Sequence, residues 1–427
     1  MERYSEYRMN NPDQSAASPP SPSSRVGGNQ AQATVFAILF AISFAHLLND
    51  TIQSLLPALF PVIKETFALS YGQIGFITLA FQTTASLLQP LVGLWADQRP
   101  TPWSLMIGMG FTLIGVLLLA FAPSYAFLLL AAAFIGLGSS VFHPESSRVA
   151  RMAAGGKRGL AQSVFQVGGN AGSSLGPLLA AFVIVAIGQS GIAWFTVIPL
   201  VGMIVLWKVG LWYRGQIGER RTARGHTAAD LPLALPRARV LWAIAILLVL
   251  IFSKQFYMTS LMNYYTFDLI EVFDVPIAAA QIYLFFYLFS IAIGTLIGGW
   301  LSDRFGRRTI IWFSILGALP FTLILPEADL FWTAVLTVVI GLVMASSLAV
   351  IVVFAQDLIP GRVGMVSGLF LGFAFGMSGL GAALLGQLAD LTSLQYVYRL
   401  CSFLPALGLV AALLPDVERR TMARHVS

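Results

Sequence analysis

Long apolar runs separated by short polar or turn-forming breaks cover most of the chain. A run of about 20 apolar residues is long enough to cross the hydrocarbon core of a bilayer as a helix. The breaks contain charged residues or turn formers such as Lys64, Pro123 and Gly188. The pattern predicts an all-α membrane protein with twelve transmembrane helices, at roughly 33–62, 72–96, 102–122, 125–148, 159–187, 192–213, 239–267, 277–301, 309–326, 329–356, 363–389 and 395–415.

Composition supports a membrane protein over a soluble one. The chain is 57% hydrophobic and 10% charged, whereas a soluble domain has about 25% charged residues. Its single cysteine, Cys401, excludes an internal disulfide. The sequence contains no metal-spaced His/Cys set, nucleotide-binding loop or soluble catalytic module. We therefore expect no enzyme, no cofactor, no metal site and no nucleic-acid partner.

The distribution of basic residues predicts an orientation. Nearly all arginines from Arg99 to Arg362 lie in the even-numbered loops, and the opposite loops are acidic, with only Lys64 as a basic residue. Cytoplasmic loops are enriched in Lys and Arg, so both termini are expected in the cytoplasm. The predicted organisation is a disordered tail (1–32), a six-helix bundle (33–214), a cytoplasmic linker (215–238), a second six-helix bundle (239–415) and a tail (416–427).

The two halves also repeat one another. Gly93-Leu-Trp-Ala-Asp97 recurs as Gly299-Trp-Leu-Ser-Asp303, an offset of 206 residues. Gly159-Leu-Ala-Gln-Ser163 aligns with Gly364-Met-Val-Ser-Gly368 at an offset of 205. Duplicated bundles are typical of transporters in which the substrate site lies between two rocking halves.

Helix one contains a polar stripe. His46, Asn49, Asp50 and Gln53 are spaced so that they share one face of the helix. Ionisable groups inside a membrane are costly and are usually functional. We expect Asp50, with His46, to hold and release a proton; a fixed structural ion pair is the alternative.

Helix four ends in a second polar cluster, Ser139-Ser-Val-Phe-His143-Pro144-Glu145-Ser-Ser-Arg148. Pro144 removes a helix hydrogen-bond donor here. We expect His143 and Glu145 to take part in proton coupling. Together with Arg148 they are expected to form a cluster at the cytoplasmic gate.

Candidate substrate-binding residues lie on several helices. Lys254 is about 15 residues into predicted helix seven, and no other lysine lies so deep. We expect it to bind an anionic substrate group; pairing with Asp50 or reaching towards Asp268 are the alternatives. Polar and aromatic side chains that could line the same cavity, or only pack helices together, are Gln53, Gln82, Gln166, Asn170, Tyr257, Tyr283 and Tyr287.

Two motifs resemble the major facilitator superfamily. Gly299-Trp-Leu-Ser-Asp303-Arg304-Phe-Gly306-Arg307-Arg308 is similar to its loop motif, which implies a conformational latch formed by Asp303, Arg304, Arg307 and Arg308. We assign Asp97 and Arg148 to the same latch; charge that only sets topology is the alternative. Gly172-Ser-Ser-Leu-Gly176-Pro177 resembles a motif of proton-linked exporters and implies helix bending at Gly172, Gly176 and Pro177, with ordinary small-residue packing as the alternative.

A closer resemblance is carried by His46-Leu-Leu-Asn-Asp50, the His143 cluster and Phe165-Gln-Val-Gly-Gly-Asn170. These stretches are similar to the bacterial fosmidomycin resistance proteins. The resemblance implies an inner-membrane antiporter, active as a monomer in the lipid bilayer, that exchanges protons for a small drug. Fosmidomycin, a phosphonate hydroxamate, is the implied substrate. A proton-coupled importer of a small organic anion is the alternative.

Overall fold

The computed structural model describes residues 34–98, 101–154, 158–184, 189–220, 236–359 and 363–415. Within these ranges all twelve predicted segments are helical and no strand is present. Nine of the described helices are long and apolar enough to cross a membrane, and a tenth, Ser104–Ala120, is apolar but shorter. The predicted fold class is therefore confirmed.

The first half consists of six helical segments. Pro61 lies in the first turn of α2 and Pro177 in the last turn of α6, so α1 is followed by a second short helix and α6 continues as a π-helical turn. The helices are α1 (Phe36–Ala58), α2 (Phe60–Phe67), α3 (Tyr71–Gln98), α4 (Ser104–Ala120), α5 (Tyr125–Ala153), α6 (Arg158–Leu179) with the π turn Ala180–Ile184, and the 3-10 helix Gln189–Thr196 followed by α7 (Val197–Arg220).

The second half repeats the arrangement. Asp329 and Ser393 cap α12 and α15 by accepting backbone hydrogen bonds from Trp332 and Tyr396. The helices are α8 (Arg237–Phe273), α9 (Ile277–Phe305), α10 (Arg307–Leu316), α11 (Leu319–Ile324) with the 3-10 turn Leu325–Glu327, α12 (Leu330–Ala345), α13 (Leu348–Leu358), α14 (Val363–Leu391), and α15 (Leu394–Cys401) with the 3-10 helix Leu404–Leu413.

The two ends of the helix bundle differ in charge. We call one the Arg-rich end; it carries Arg148, Arg151, Arg304, Arg307 and Arg308. We call the other the acidic end; it carries Asp268, Glu271, Asp274, Glu327 and Asp390.

Among the described residues, the buried apolar cluster that joins the two halves lies towards the acidic end. One buried cluster there contains residues of both halves, such as Leu56 and Ile77 of the first and Tyr264 and Leu385 of the second. Towards the Arg-rich end, the buried core of each half is a separate cluster. Since close van der Waals packing holds helices together inside a membrane, the contact between the halves is stronger towards the acidic end than towards the Arg-rich end.

The spacing of α3 and α14 shows the same asymmetry. At the acidic end, Gly75 contacts the backbone of Ala382, and Gly386 contacts the carbonyl of Tyr71, so closely that neither position has room for a Cβ atom. Towards the Arg-rich end, Gly368 and Gly372 of α14 have no atom of the described residues within 4 Å of where a Cβ would lie. The two helices therefore diverge, and the space between the halves opens at the Arg-rich end.

Candidate functional site

Asp50 lies within α1 and is surrounded by polar side chains. The side-chain amides of Asn49 and Gln53 each donate a hydrogen bond to its Oδ1 at 3.0 Å. His46 Nε2 lies 3.3 Å from Oδ2, and His143 Nε2 of α5 lies 3.8 Å from Oδ1. The stripe on helix one and His143 thus meet in one group, which we call the Asp50 cluster.

The orientation of His46 sets where a proton can reside. Its Nδ1 is 2.8 Å from the carbonyl oxygen of Phe165, and its ring stacks on the Phe165 ring with 4.0 Å between centroids. Because a carbonyl only accepts, Nδ1 must carry a hydrogen, and Nε2 faces the Asp50 carboxylate. A hydrogen bond between Nε2 and Oδ2 then requires one proton, on either atom. The geometry of the His46–Asp50 pair therefore allows the two side chains to share one proton.

The Asp50 cluster depends on close approach of α6 to α1. A Cβ on Gly169 would overlap the His46 ring and lie 2.9 Å from Asp50 Oδ2. Any larger residue at Gly169 would push His46 away from Asp50. Gly169 was not among the predicted site residues, although it lies within the stretch Phe165–Asn170 that carries the family resemblance.

Two of the three predicted bending residues, Gly172 and Gly176, also lie on this contact. Gly172 faces the carbonyl of Leu47, and Gly176 faces Ser54 and Leu55, in both cases without room for a Cβ atom. Pro177 precedes the π-helical turn Ala180–Ile184. The two glycines thus allow close helix packing, and the irregular backbone follows the proline.

One side of the Asp50 cluster is partly exposed. The side chains of Asp50 and His143 are 16% and 24% exposed, whereas that of His46 is 5% exposed. Gln53 lies beside them, with its Nε2 3.4 Å from His143 Nε2 and its Oε1 accepting a hydrogen bond of 3.3 Å from Ser139. A proton could therefore enter by way of His143 and Asp50, while His46 remains shielded.

The same residues also offer metal-ligand atoms. One atom each of His46, Asp50 and His143 lies within 4.8 Å of the others. Asp50 Oδ1 already accepts hydrogen bonds from Asn49 and Gln53. The hydrogen bonds among these side chains account for the arrangement without a metal ion. That no metal binds here stays a prediction.

Glu145 and Arg148 contact each other and face a different side of α5 from His143; that the three side chains form one cluster at the cytoplasmic gate stays a prediction. Glu145 is buried; its Oε2 accepts a hydrogen bond of 3.1 Å from Ser104 of α4, and its Oε1 lies 3.6 Å from Arg148. Residues two apart on a helix project to different sides. His143 therefore points to α1, whereas Glu145 points to α4.

Lys254 is buried within α8. It is 1% exposed, and its Nζ lies 3.4 Å from Ser347 Oγ. Among the described side chains no carboxylate lies within ion-pair distance, so the alternative pairings with Asp50 and Asp268 are not observed. A buried charge without a counter-ion is costly. An anionic ligand would remove that cost.

The other candidate substrate-binding residues are dispersed. The Tyr257 hydroxyl and the Asn170 amide nitrogen are buried without hydrogen-bond partners among the described residues, and Tyr287 donates to the carbonyl of Met258 at 3.3 Å. Gln82 is partly buried opposite Gly379 of α14, Gln166 is exposed, and Tyr283 lines an apolar groove with Phe286 and Val338.

Sequence reasoning missed Gln281 of α9. It is fully buried, and its amide has no partner in the described part of the chain. The sequence feature that could have identified Gln281 is its position as a single amide side chain within an apolar run.

The sequence also did not reveal a polar contact that closes the acidic end. Asp390 of α14 accepts hydrogen bonds of 2.7 Å from the backbone N–H groups of both Tyr71 and Gly72 of α3. The Tyr71 hydroxyl donates to Glu271, and Lys64 Nζ lies 4.5 Å from the Tyr71 ring centroid. Each contact with Asp390 or Glu271 joins one half to the other. We call this group the acidic-end gate.

The predicted latch arginines of the loop motif have partners in their own half. Arg307 pairs with Asp357, Arg308 donates a hydrogen bond of 2.6 Å to the carbonyl of Ala412, and Arg304 lies 5.9 Å from the ring centroid of Trp300. The side chains of Asp97 and Asp303, also assigned to the latch, lie outside the described residues.

Comparison with known proteins agrees with this architecture. Residues 42–292 and 256–425 match the Major Facilitator Superfamily. The chain is 57% identical over 383 residues to the fosmidomycin resistance protein of Escherichia coli (strain K12), covering 90% of this chain and 94% of that protein. It is 42% identical over 386 residues to the uncharacterized MFS-type transporter YfnC of Bacillus subtilis (strain 168), with the same coverage.

Solved structures share the fold at low identity. A bacterial homolog of the human lysosomal transporter Spinster, in an inward-facing and occupied conformation, superposes with a TM-score of 0.69 at 17% identity, over 88% of this chain and 94% of that one. The nucleoside transporter NupG gives a TM-score of 0.67 at 14% identity, over 88% and 98%.

The sequence match covers most of the chain, and the twelve described segments have the arrangement of solved transporters. The resemblance seen in the sequence motifs is thereby confirmed, and the protein is a membrane transporter and not an enzyme. The chain belongs to the Major Facilitator Superfamily.

Proposed function

We propose that this chain is a proton-coupled antiporter that exports fosmidomycin or drugs of similar chemistry. The observation that carries the proposal is the His46–Asp50 pair, with Nε2 and Oδ2 3.3 Å apart and the side chains of Asp50 and His143 partly exposed. In the proposed mechanism this pair holds one exchangeable proton, which water reaches through Asp50 and His143. The name of the Escherichia coli relative, 57% identical to this chain, supports the choice of drug.

Lys254 is the proposed site for the anionic group of the drug. Its ammonium is buried without a counter-charge among the described residues, and the nearby helix position Tyr257 has an unpaired buried hydroxyl. A phosphonate supplies negative charge and several hydrogen-bond acceptors. Binding would therefore satisfy groups that otherwise raise the free energy of the fold.

The orientation of the chain follows from its charge asymmetry. Cytoplasmic segments of inner-membrane proteins are enriched in Lys and Arg, so the Arg-rich end is proposed to face the cytoplasm, with both termini on that side. The halves separate at this end and are joined at the acidic end. The structure then corresponds to a state open to the cytoplasm, ready to release a proton and to take up drug.

Exchange requires that drug and proton compete for one site. Once the shared proton has left, the His46–Asp50 pair is negative, and the Asp50 carboxylate becomes a stronger acceptor for a hydrogen bond from the hydroxyl of the hydroxamate. Each proton that enters from outside gains about 2.3 kcal/mol per 100 mV of membrane potential. This energy can expel the drug once the acidic-end gate opens and the Arg-rich end closes.

One electrostatic observation favours the alternative, a proton-coupled importer of an organic anion. The His46–Asp50 pair is neutral with its proton and negative without it, so protonation reduces repulsion of any anion that approaches. Proton and anion would then bind together and not in exchange.

Everted membrane vesicles distinguish the two functions. Respiration acidifies the vesicle interior, and a fluorescent dye reports the pH gradient. Fosmidomycin added outside, at the former cytoplasmic face, should dissipate the gradient if the chain is an antiporter, and Asp50→Asn should abolish the effect. Dissipation only when the drug is loaded inside the vesicles would establish symport and reject the proposal.

A further inference from the structure

A cavity of about 230 Å³ lies at the acidic end, within the second half of the chain. It is formed between α8, the 3-10 turn Leu325–Glu327 and α15. Neither Lys254 nor any residue of the Asp50 cluster lines it. The cavity is therefore separate from the proposed transport site.

One carboxyl group in the wall of the cavity has no basic partner among the described residues. Asp268, partly buried, lines it, and within the described residues no basic side chain forms an ion pair with its carboxylate. Glu271, one turn later on α8, lies near enough to add to the negative potential. At the rim, Arg399 and Glu327 are 2.8 Å apart and neutralise each other. A bound molecule should therefore be positively charged.

Tyr398 provides an independent indication of a ligand. It lines the cavity and is 6% exposed, yet its hydroxyl has no hydrogen-bond partner among the residues that the structure describes. Buried hydroxyl groups normally have a partner. The Tyr398 hydroxyl lies near enough to Asp268 to interact with its charge.

Aromatic rings indicate the chemical class of the ligand. Tyr265 and Phe273 join Tyr398 in the wall, and a hydrogen bond of 3.1 Å between the hydroxyls of Tyr265 and Thr337 fixes the Tyr265 ring. Ring faces attract organic cations, and a phenolic oxygen accepts a hydrogen bond from N–H. A single water needs only about 10–15 Å³ of such space, so the cavity has room for an organic molecule.

We propose that this cavity binds a small organic ammonium ion. Its N–H groups donate to the Asp268 carboxylate and the Tyr398 hydroxyl, and its carbon atoms contact the aromatic wall. An alkali ion fits less well, because such ions prefer several oxygen ligands and rings provide none. The site does not depend on the proposed exchange of drug for protons.

Equilibrium binding to the purified full-length chain in detergent tests this proposal. Methylammonium chloride is titrated by isothermal calorimetry, and sodium chloride in a separate run. We expect saturable, millimolar binding of methylammonium, at least tenfold weaker in Asp268→Asn and several-fold weaker in Tyr398→Phe. Thermal unfolding of each variant establishes that it is folded.

Asp274→Asn is the matched control. Asp274 is exposed at the same end and has φ of 53°, a left-handed conformation that Asn accepts readily. It should bind methylammonium as the unmodified chain does, and so should Asp50→Asn. No saturable binding, equal binding of sodium, or an equal loss in Asp274→Asn would overturn the proposal.

Discussion

Asp390 caps the helix that begins at Tyr71, although the two residues belong to opposite halves of the chain. Its two carboxylate oxygens accept hydrogen bonds of 2.7 Å from the backbone N–H groups of Tyr71 and Gly72. A helix N-terminus has unsatisfied N–H groups and partial positive charge, so a carboxylate stabilises it. Here the stabilisation is available only while the acidic-end gate is closed.

Asp390→Asn should weaken the gate. Asn has no charge and only one acceptor oxygen, so one of the two N–H groups of α3 loses its partner. We expect several-fold faster maleimide labelling of a Thr78→Cys reporter, which lies at the interface where Thr78 bonds to Asn263. Background labelling should be low because Cys401 is buried.

Asp329→Asn is the control for this experiment. Asp329 caps α12 within its own half through the N–H of Trp332, at 2.9 Å. Because Asn is as good an N-cap as Asp, this replacement should change neither the stability nor the labelling rate appreciably. Equal rates for Asp390→Asn and the parent would mean that the carboxylate does not hold the gate.

Gly169→Ala should disrupt the Asp50 cluster. The added methyl group overlaps His46 and approaches Asp50 Oδ2 to 2.9 Å, so His46 must move away from the carboxylate. We expect at least tenfold lower drug export, measured as fosmidomycin accumulation in cells. Gly372→Ala, which faces open space, should export normally; an active Gly169→Ala variant would contradict the proposed role of this contact.

Asp50→Asn should uncouple the transporter from protons. The amide keeps the shape of the side chain but cannot release a proton. Calorimetry in buffers of different ionisation enthalpy should show that fosmidomycin binding releases about one proton from the unmodified chain and none from the variant. Proton uptake by the unmodified chain on binding would instead support symport.

Lys254→Met should stabilise the fold while weakening the binding of the substrate. Removing a buried charge that has no counter-ion should raise the free energy of unfolding by about 1–4 kcal/mol, measured by denaturant unfolding in detergent. Affinity for fosmidomycin should fall at least tenfold.

Lys208→Met provides the comparison for that variant. Lys208 is exposed on α7, so its replacement should leave both stability and affinity nearly unchanged. Unaltered fosmidomycin affinity in Lys254→Met would exclude Lys254 as the anion site.

The sequence by itself determined the positions of the helices and the side of α1 that carries His46 and Asp50. A bilayer admits helices of about 20 apolar residues, so the apolar runs were sufficient to predict all twelve segments. The spacing of four residues between His46 and Asp50 placed them on one face of α1 because a helix has 3.6 residues per turn.

Contacts between helices were decided only by the tertiary structure. Because positions two apart on a helix point in different directions, Glu145 contacts α4 while His143 faces α1. The close approach of α6 at Gly169 holds His46 against Asp50. Asp390 reached Tyr71 across 319 positions of the chain. Such pairs depend on how whole helices pack, and a local pattern of residue types contains no signal for helix rotation or for partners so distant in sequence.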